Sequence, residues 1–124
     1  MENERRRPRS GYKDLALQGW LESVAMRRRI PLLLVADGDG LLVAAGADLA
    51  EAEEIASLAA TLKCADGKPA SCLHHGVKVT AWRIAKVEEM ILVLAKGDGG
   101  QVQAALEEAG AGVVRILAEK MQKG

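Results

Sequence analysis

The pattern of hydrophobic and polar positions has its clearest feature at residues 31–46, where two short apolar runs flank the sequence Asp-Gly-Asp-Gly. The runs, 32–36 and 41–45, are almost continuous in apolar residues, which is typical of central strands covered on both faces. An Asp-Gly pair between such runs is the strongest short-range hairpin signal, because Gly supplies the positive φ of a tight turn at no steric cost. The sequence therefore predicts a β-hairpin of two central strands.

One helix is predicted before this hairpin and another after it. In residues 12–29, apolar positions recur at three-residue and four-residue spacing, and Pro31 prevents the helix from continuing into the hairpin. After the hairpin, Asp48 has the character of an N-cap and Glu51 completes a capping box. A second helix, rich in Ala, is therefore predicted to begin there and to end near Leu62.

Three strands and a last helix are predicted in the second half of the chain. Residues 71–75 form a short candidate strand, 77–84 alternate between two faces, and 90–95 are wholly apolar. The last helix covers about 101–121, and two glycines in its middle favour a kink or a break. The elements therefore follow in the order helix, two strands, helix, three strands, helix, and one sheet with helices on its faces is their simplest packing.

Length and composition indicate one domain with an aliphatic core. The chain has 124 residues, of which 49% are hydrophobic, and this is the size of an ordinary single domain. With two Trp, one Tyr and no Phe, the core must be built from Leu, Val, Ile and Ala. We predict a disordered basic leader at 1–11, which is either an arm for an acidic partner or a solubilising tail, and the folded domain at 12–121.

The net charge is zero, but the charges are distributed unevenly. Residues 1–30 contain eight Lys and Arg against four Asp and Glu, whereas residues 31–124 contain nine against thirteen. A body without a basic excess argues against a nucleic-acid-binding protein, whose affinity rests on a basic face. The sequence also has no apolar run of about 18 residues and no secretory signal, so we predict a cytoplasmic protein with reduced thiols and without a membrane partner.

The sequence lacks the motifs of the common enzyme classes. It has no Walker phosphate loop, no GxSxG nucleophile elbow and no HExxH metal helix. The Asp-Gly-Asp-Gly turn is too short for a calcium loop. The glycine-rich segment 96–100 has no phosphate-binding fingerprint, so a flexible connection is favoured there over a phosphate site. We therefore predict a protein without catalytic residues, cofactor or metal.

Four residues form the only cluster with metal-ligand chemistry, namely Cys64, Cys72, His74 and His75. Their spacing matches no zinc pattern. Adjacent residues on a strand point to opposite faces, so His74 and His75 are not expected to share a metal ion. Structural thiols and surface histidines are therefore favoured over a metal or redox site.

Two surfaces are candidates for binding protein partners. The second helix is apolar around most of its circumference, so it needs a cover besides the sheet, and a second copy of the chain would supply one. The predicted dimer interface consists of Ala52, Ile55, Ala56, Ala59 and Leu62. The triplet Arg27, Arg28 and Arg29 is a candidate partner surface, although cations at the end of a helix also stabilise its dipole without a partner.

The chain resembles the roadblock family, also described as the dynein light chain roadblock type. The resemblance covers about residues 17–117 and rests on the hairpin IPLLLVADGDGLLVAA at 30–45, the Ala-rich helix 49–62, the apolar strand 90–95 and the closing helix. It implies an α/β (α+β) fold with a single five-stranded antiparallel sheet, helices on both faces and the order α-β-β-α-β-β-β-α. It also implies a homodimer in which the helices after the first hairpin pack together.

Roadblock proteins are non-enzymatic modules, many of which bind Ras-like small GTPases, while others serve motor complexes. The resemblance therefore implies a homodimeric module that regulates or scaffolds a Ras-like small GTPase or a motor or polarity complex. The alternative is a small-molecule-sensing module of profilin-like or GAF-like topology, which would hold its ligand near Trp82 and His75. A third hypothesis is a metal or redox protein that uses Cys64 and Cys72.

Overall fold

The computed structural model describes residues 11–46, 49–62, 68–84 and 91–123. The leader predicted at 1–11 lies outside these residues except for Gly11, as do the predicted N-cap Asp48 and the thiol of Cys64. The elements within the described ranges are α1 (Gly11–Arg28), β1 (Leu32–Asp37), β2 (Leu42–Ala45), α2 (Leu49–Ala56), a 3-10 helix (Ser57–Ala60), β3 (Ala70–His74), β4 (Val77–Ile84), β5 (Ile91–Lys96) and α3 (Gln101–Lys123). None of these helices is both long and apolar enough to cross a membrane.

The described strands form one antiparallel sheet in the order β2-β1-β5-β4-β3. This architecture confirms the predicted α+β class with five antiparallel strands and helices. The prediction that both strands of the first hairpin are central is right for β1, which pairs with β2 and β5. It is wrong for β2, because that strand is at one edge of the sheet, opposite the edge formed by β3.

The turn between β1 and β2 has the chemistry that its sequence predicts. The Asp37 carboxylate oxygen Oδ1 accepts hydrogen bonds from the backbone N–H groups of Asp39 at 2.9 Å and Leu41 at 3.0 Å. Gly40 adopts a φ of 87°, which a residue with a side chain adopts only with strain. The turn is therefore held by the side chain that begins it and by the glycine that ends it.

Helices α1 and α3 cover one face of the sheet, and α2 with the 3-10 helix covers the other. Within β1, Leu33 and Val35 are buried on the α1 and α3 side, while Leu32 and Leu34 are buried on the α2 side. A strand covered on both faces has no polar positions, which explains the continuous apolar run in the sequence.

Helix α2 is shorter than predicted, because it ends at Ala56 and continues as the 3-10 helix instead of reaching Leu62. The change coincides with Ser57, whose hydroxyl donates a 2.6 Å hydrogen bond to the carbonyl oxygen of Glu54. Ser side chains that bond to the preceding turn compete with regular helix geometry, and this gives a local reason for the transition.

The two glycines of α3, Gly110 and Gly112, do not break the helix, which runs without interruption from Gln101 to Lys123. They serve packing instead. A Cβ atom on Gly112 would overlap Cε2 of Trp20, and one on Gly110 would lie 3.3 Å from Cζ3 of Trp82. Each glycine therefore leaves the space that an indole ring occupies.

Candidate interaction surface

The basic end of α1 is closed by a residue in the left-handed conformation. Arg29 has a φ of 58°. The backbone N–H of Ile30 donates a 2.9 Å hydrogen bond to the carbonyl oxygen of Ala25, and the N–H of Arg29 donates one of 3.4 Å to the carbonyl oxygen of Met26. These two bonds form the Schellman pattern, in which glycine is the usual residue at the position of Arg29. Pro31 follows immediately, so the chain leaves the helix and enters β1.

Two arginines of the predicted partner surface are held by one carboxylate of α3. Arg27 Nη1 lies 2.5 Å from Glu108 Oε2, and Arg28 Nε lies 2.9 Å from Glu108 Oε1. The hydrogen bond from Arg27 has the largest effect and lowers the pKa of Glu108, and the hydrogen bond from Arg28 lowers it further. The cluster therefore joins α1 to α3, while Arg29 remains exposed at the end of α1.

Trp20 extends this junction between α1 and α3. Its Nε1–H donates a 3.0 Å hydrogen bond to the carbonyl of Ala109. The guanidinium groups of Arg27 and Arg115 lie 5.8 Å and 5.4 Å from its ring, within the range of cation–π attraction. The role of Arg27, Arg28 and Arg29 as a partner surface stays a prediction, and in the described chain two of the three also fasten helices together.

The residues predicted for a dimer interface lie mostly inside the single chain. Ala52, Ile55 and Ala56 are fully buried, Ala59 is 3% exposed, and all four pack against the α2 side of the sheet. A side chain already covered by its own sheet is not available to a second copy, so these four contacts are intramolecular. Leu62 is partly buried against the same core. A dimer through α2 would therefore use the opposite face, which carries Ala50, Glu53 and Glu54.

The outer edge of β3 is a third candidate surface, which the sequence did not predict. β3 pairs with β4 on one side and has no strand on its other side among the described residues. Leu73, in the middle of β3, is 72% exposed. An edge strand with an exposed apolar side chain is a template for pairing with another chain. The sequence feature that indicates this surface is Leu73, an apolar residue at a solvent-facing position of β3.

Charged and polar side chains connect helix α2 to strands β5 and β3. Lys96 at the end of β5 forms an ion pair with Glu51, and His74 Nε2 at the end of β3 lies 3.6 Å from Glu54 Oε1. The exposed face of α2 and the edge strand β3 are therefore neighbouring parts of one surface.

The structure brings His74 and His75 together, contrary to the prediction that they point to opposite faces. Their ring centroids are 4.2 Å apart at an interplanar angle of 84°. The reason is that His75 is not part of the strand but lies in the following turn, with a φ of 53°. Cys72 is a half-buried free thiol on β3, next to the α2 core.

The ligand site proposed near Trp82 has a different environment from the one predicted. The Trp82 ring packs on Gly110 and the core between the sheet and α3, where its Nε1 is buried without a hydrogen-bond partner among the described residues. A depression of about 540 Å³ lies elsewhere, on α1, lined by Gly19, Glu22, Ser23, Met26 and Arg27. Trp82 therefore belongs to the core on the α3 side of the sheet.

Comparison with known proteins gives matches in structure and not in sequence. No protein-family model and no curated protein matches the chain. The structure "MglB with tetrameric arrangement" matches with a TM-score of 0.68 over 89% of this chain and 93% of that chain, at 17% identity. The chain has the fold of MglB. A structure of Myxococcus xanthus MglB matches with a TM-score of 0.63 over 85% of this chain and 90% of that chain, at 11% identity.

The likeness to MglB confirms the roadblock-type fold that the sequence resemblance implies. In each comparison the match covers nearly the whole length of both chains, so the complete MglB fold corresponds to nearly all of this chain. At these identities the likeness establishes the fold alone, and no side chain of MglB can be assigned to a position here.

Proposed function

We propose that this protein is a non-enzymatic, homodimeric roadblock-type module that binds a Ras-like small GTPase and regulates or scaffolds it in the cytoplasm. The observation that carries the proposal is the fold match to MglB over 89% of the chain. The sequence resemblance to a family rich in GTPase-binding modules supports the GTPase partner. The edge of β3, beside which the described residues place no further strand, supports the dimer.

The proposed dimer forms through the edge strand β3 and the neighbouring exposed face of α2. Two copies of β3 related by a twofold axis would pair antiparallel and extend the sheet across both chains. Such pairing would cover Leu73 and satisfy the free backbone groups at the edge. One of the two MglB structures has a tetrameric arrangement, which supports self-association of this fold.

The GTPase would bind a different part of the molecule from the dimer contact. The basic end of α1, with Arg27, Arg28 and Arg29, is our candidate for that surface, because its charge complements an acidic partner. Exposed Met26, at 78% relative exposure, lies beside it and offers an apolar contact. An apolar contact with charged neighbours is typical of protein interfaces.

The proposal is tested by purifying the tagged full chain from its native host and identifying the proteins that accompany it. We expect a Ras-like small GTPase, whose recovery depends on whether GDP or a non-hydrolysable GTP analogue is present. Nucleotide hydrolysis and exchange by that GTPase, measured with and without the chain, then separate regulation from tethering. Recovery of no GTPase under either nucleotide would contradict the proposal.

A matched pair of variants tests the surface. Met26→Glu adds a negative charge to the proposed GTPase surface, whereas Leu15→Glu makes the same change at another exposed apolar position of α1, with 66% exposure. We expect Met26→Glu to reduce GTPase recovery by at least about tenfold, which corresponds to about 1.4 kcal/mol, since it would bury an unpaired charge in an apolar contact. Leu15→Glu should retain the GTPase, and equal loss in both variants would reject this surface.

A further inference from the structure

A candidate metal site, which shares part of its surface with the proposed dimer contact but does not depend on it, is formed by one carboxylate and two imidazoles. Glu54 projects from the exposed face of α2, His74 ends β3, and His75 lies in the turn that leads to β4. One ligand atom from each residue can be chosen so that all three lie within 4.8 Å of one another. We propose that Glu54, His74 and His75 bind a divalent transition-metal ion of the Zn²⁺ class.

The distances are close to those of an assembled site. In a tetrahedral zinc site, metal–ligand bonds of about 2.0–2.1 Å place the ligand atoms roughly 3.3 Å apart. His74 Nε2 and Glu54 Oε1 are already 3.6 Å apart. Glu54 and His75 are both solvent-exposed, so their side chains have space to rotate towards a shared ion.

The backbone of the turn explains how neighbouring histidines share one site. His74 pairs with Val77, so His75 and Gly76 are the two loop residues of the hairpin, and both have positive φ, 53° and 80°. This is the conformation of a type I′ turn, for which Asn-Gly is a preferred sequence. Histidine is among the residues with a side chain that adopt this conformation more often, and here the turn places the His75 ring beside that of His74.

The ligand types favour zinc and its neighbours over calcium or magnesium. Imidazole suits Zn²⁺, Cu²⁺ and Ni²⁺, whereas Ca²⁺ and Mg²⁺ prefer oxygen ligands throughout. Three protein ligands leave a fourth position for water or for a group from another molecule. The bound ion would join α2 to the β3–β4 hairpin, which His74 and Glu54 now connect through one polar contact.

The chain is well suited to a direct test, because His74 and His75 are its only histidines. The two cysteines are first replaced in a Cys64→Ser, Cys72→Ser background, so that thiols do not contribute to metal binding. Zn²⁺ is then titrated in competition with a chromophoric chelator, and the imidazole proton resonances are followed by NMR. Thermal unfolding is recorded with and without Zn²⁺.

Three variants remove one ligand each. His74→Gln and Glu54→Gln keep the size of a polar side chain, and His75→Asn keeps the turn, because Asn tolerates positive φ. Glu53→Gln is the matched control, since it makes the same change one residue before Glu54 on α2. Circular dichroism of each variant shows that the fold is retained.

We expect one Zn²⁺ per chain, shifted resonances from both imidazoles, and a higher melting temperature with the ion. Each ligand variant should weaken binding by more than about tenfold, since loss of a second-shell partner alone costs that much. Glu53→Gln should bind as the parent does. The proposal is overturned if the parent binds no Zn²⁺, if only one imidazole responds, if the ion is shared by two chains, or if the ligand variants match the control.

Discussion

At Gly112 the indole ring of Trp20 occupies the space that any side chain would need. A Cβ atom at this position would overlap both Cε2 and Nε1 of the ring. The same Nε1 donates to the carbonyl of Ala109, so the ring cannot retreat without losing a hydrogen bond. The missing side chain in α3 therefore positions the aromatic ring of α1.

Replacing Gly112 by Ala should destabilise the protein, although Ala is the better helix former. The propensity gain of about 1 kcal/mol is outweighed by overpacking, which costs about 1–3 kcal/mol and here also displaces the Trp20 hydrogen bond. Gly19→Ala in α1 is the matched control, because nothing lies within 4 Å of its added Cβ. Urea denaturation should show loss of stability for Gly112→Ala and a gain for Gly19→Ala; a gain for both would refute the packing role.

The ion pairs of Glu108 make the free energy of unfolding depend on pH. Its pKa is lowered from 4.5 by the hydrogen bonds from Arg27 and Arg28. A carboxyl group with a lowered pKa in the folded state stabilises the fold above its unfolded pKa, and this contribution is lost as the pH falls through the lowered value. Arg27 is half exposed, so solvent screening limits the gain to about 1 kcal/mol or less.

Glu108→Gln should therefore lower the free energy of unfolding at pH 7 by up to about 1 kcal/mol. The difference from the native chain should persist down to about pH 4.5 and shrink below it, as the carboxylate of the native chain is protonated. Glu107→Gln, one residue before it and exposed, is the control and should change stability little at any pH. Denaturation curves at pH 7 and pH 3 that show the same deficit for Glu108→Gln would contradict this explanation.

Among the elements, α1 ends in a way that carries a measurable strain. The left-handed conformation of Arg29 costs about 1–2 kcal/mol for a residue with a Cβ atom, and glycine avoids this cost. Arg29→Gly should therefore raise the stability by about 1 kcal/mol, after allowance for the larger backbone entropy of glycine in the unfolded chain. Arg29→Ala removes the same charge but keeps the Cβ atom, so it should give no such gain. Equal effects of the two substitutions on the melting temperature would mean that charge, and not backbone strain, dominates at this position.

The sequence predicted the elements well wherever local chemistry determines them. The Asp-Gly turn defined the first hairpin, and the alternation at 77–84 gave the bounds of β4, because period and turn residues are local properties. It did not show which face of α2 meets the sheet, since apolar residues around most of the helix circumference leave that choice to tertiary packing. Four of the five residues predicted for the dimer interface therefore belong to the core.

The candidate surfaces were less accessible to sequence reasoning than the fold. The pairing of Arg27 and Arg28 with Glu108 joins residues about 80 positions apart, and no pattern in the sequence connects them. His75 was assigned to a strand, but its positive φ turns its side chain towards His74. Long-range pairing and unusual backbone conformations are the two features that a single sequence does not reveal.

At the scale of the whole molecule, we propose that copies associate through the edge of β3 that no other described strand covers. Leu73→Glu places a charge where a second β3 would pack, so it should weaken self-association by at least about tenfold, since a charge buried without a partner is costly. Met26→Glu, at a similarly exposed position on α1, should leave self-association unchanged. Light scattering over a range of protein concentrations measures both. A Leu73→Glu variant that associates like the native chain would exclude β3 as the contact.

The central claim is that a dimeric roadblock-type module recognises the nucleotide state of a Ras-like small GTPase. Sedimentation velocity of the purified chain, alone and mixed with the co-purified GTPase in its GDP and GTP-analogue forms, tests this claim most directly. We predict a dimer alone and a complex containing two copies of the chain with the GTPase in one nucleotide state, with at least about tenfold weaker binding in the other. A monomer that sediments independently of the GTPase in both nucleotide states would contradict the claim.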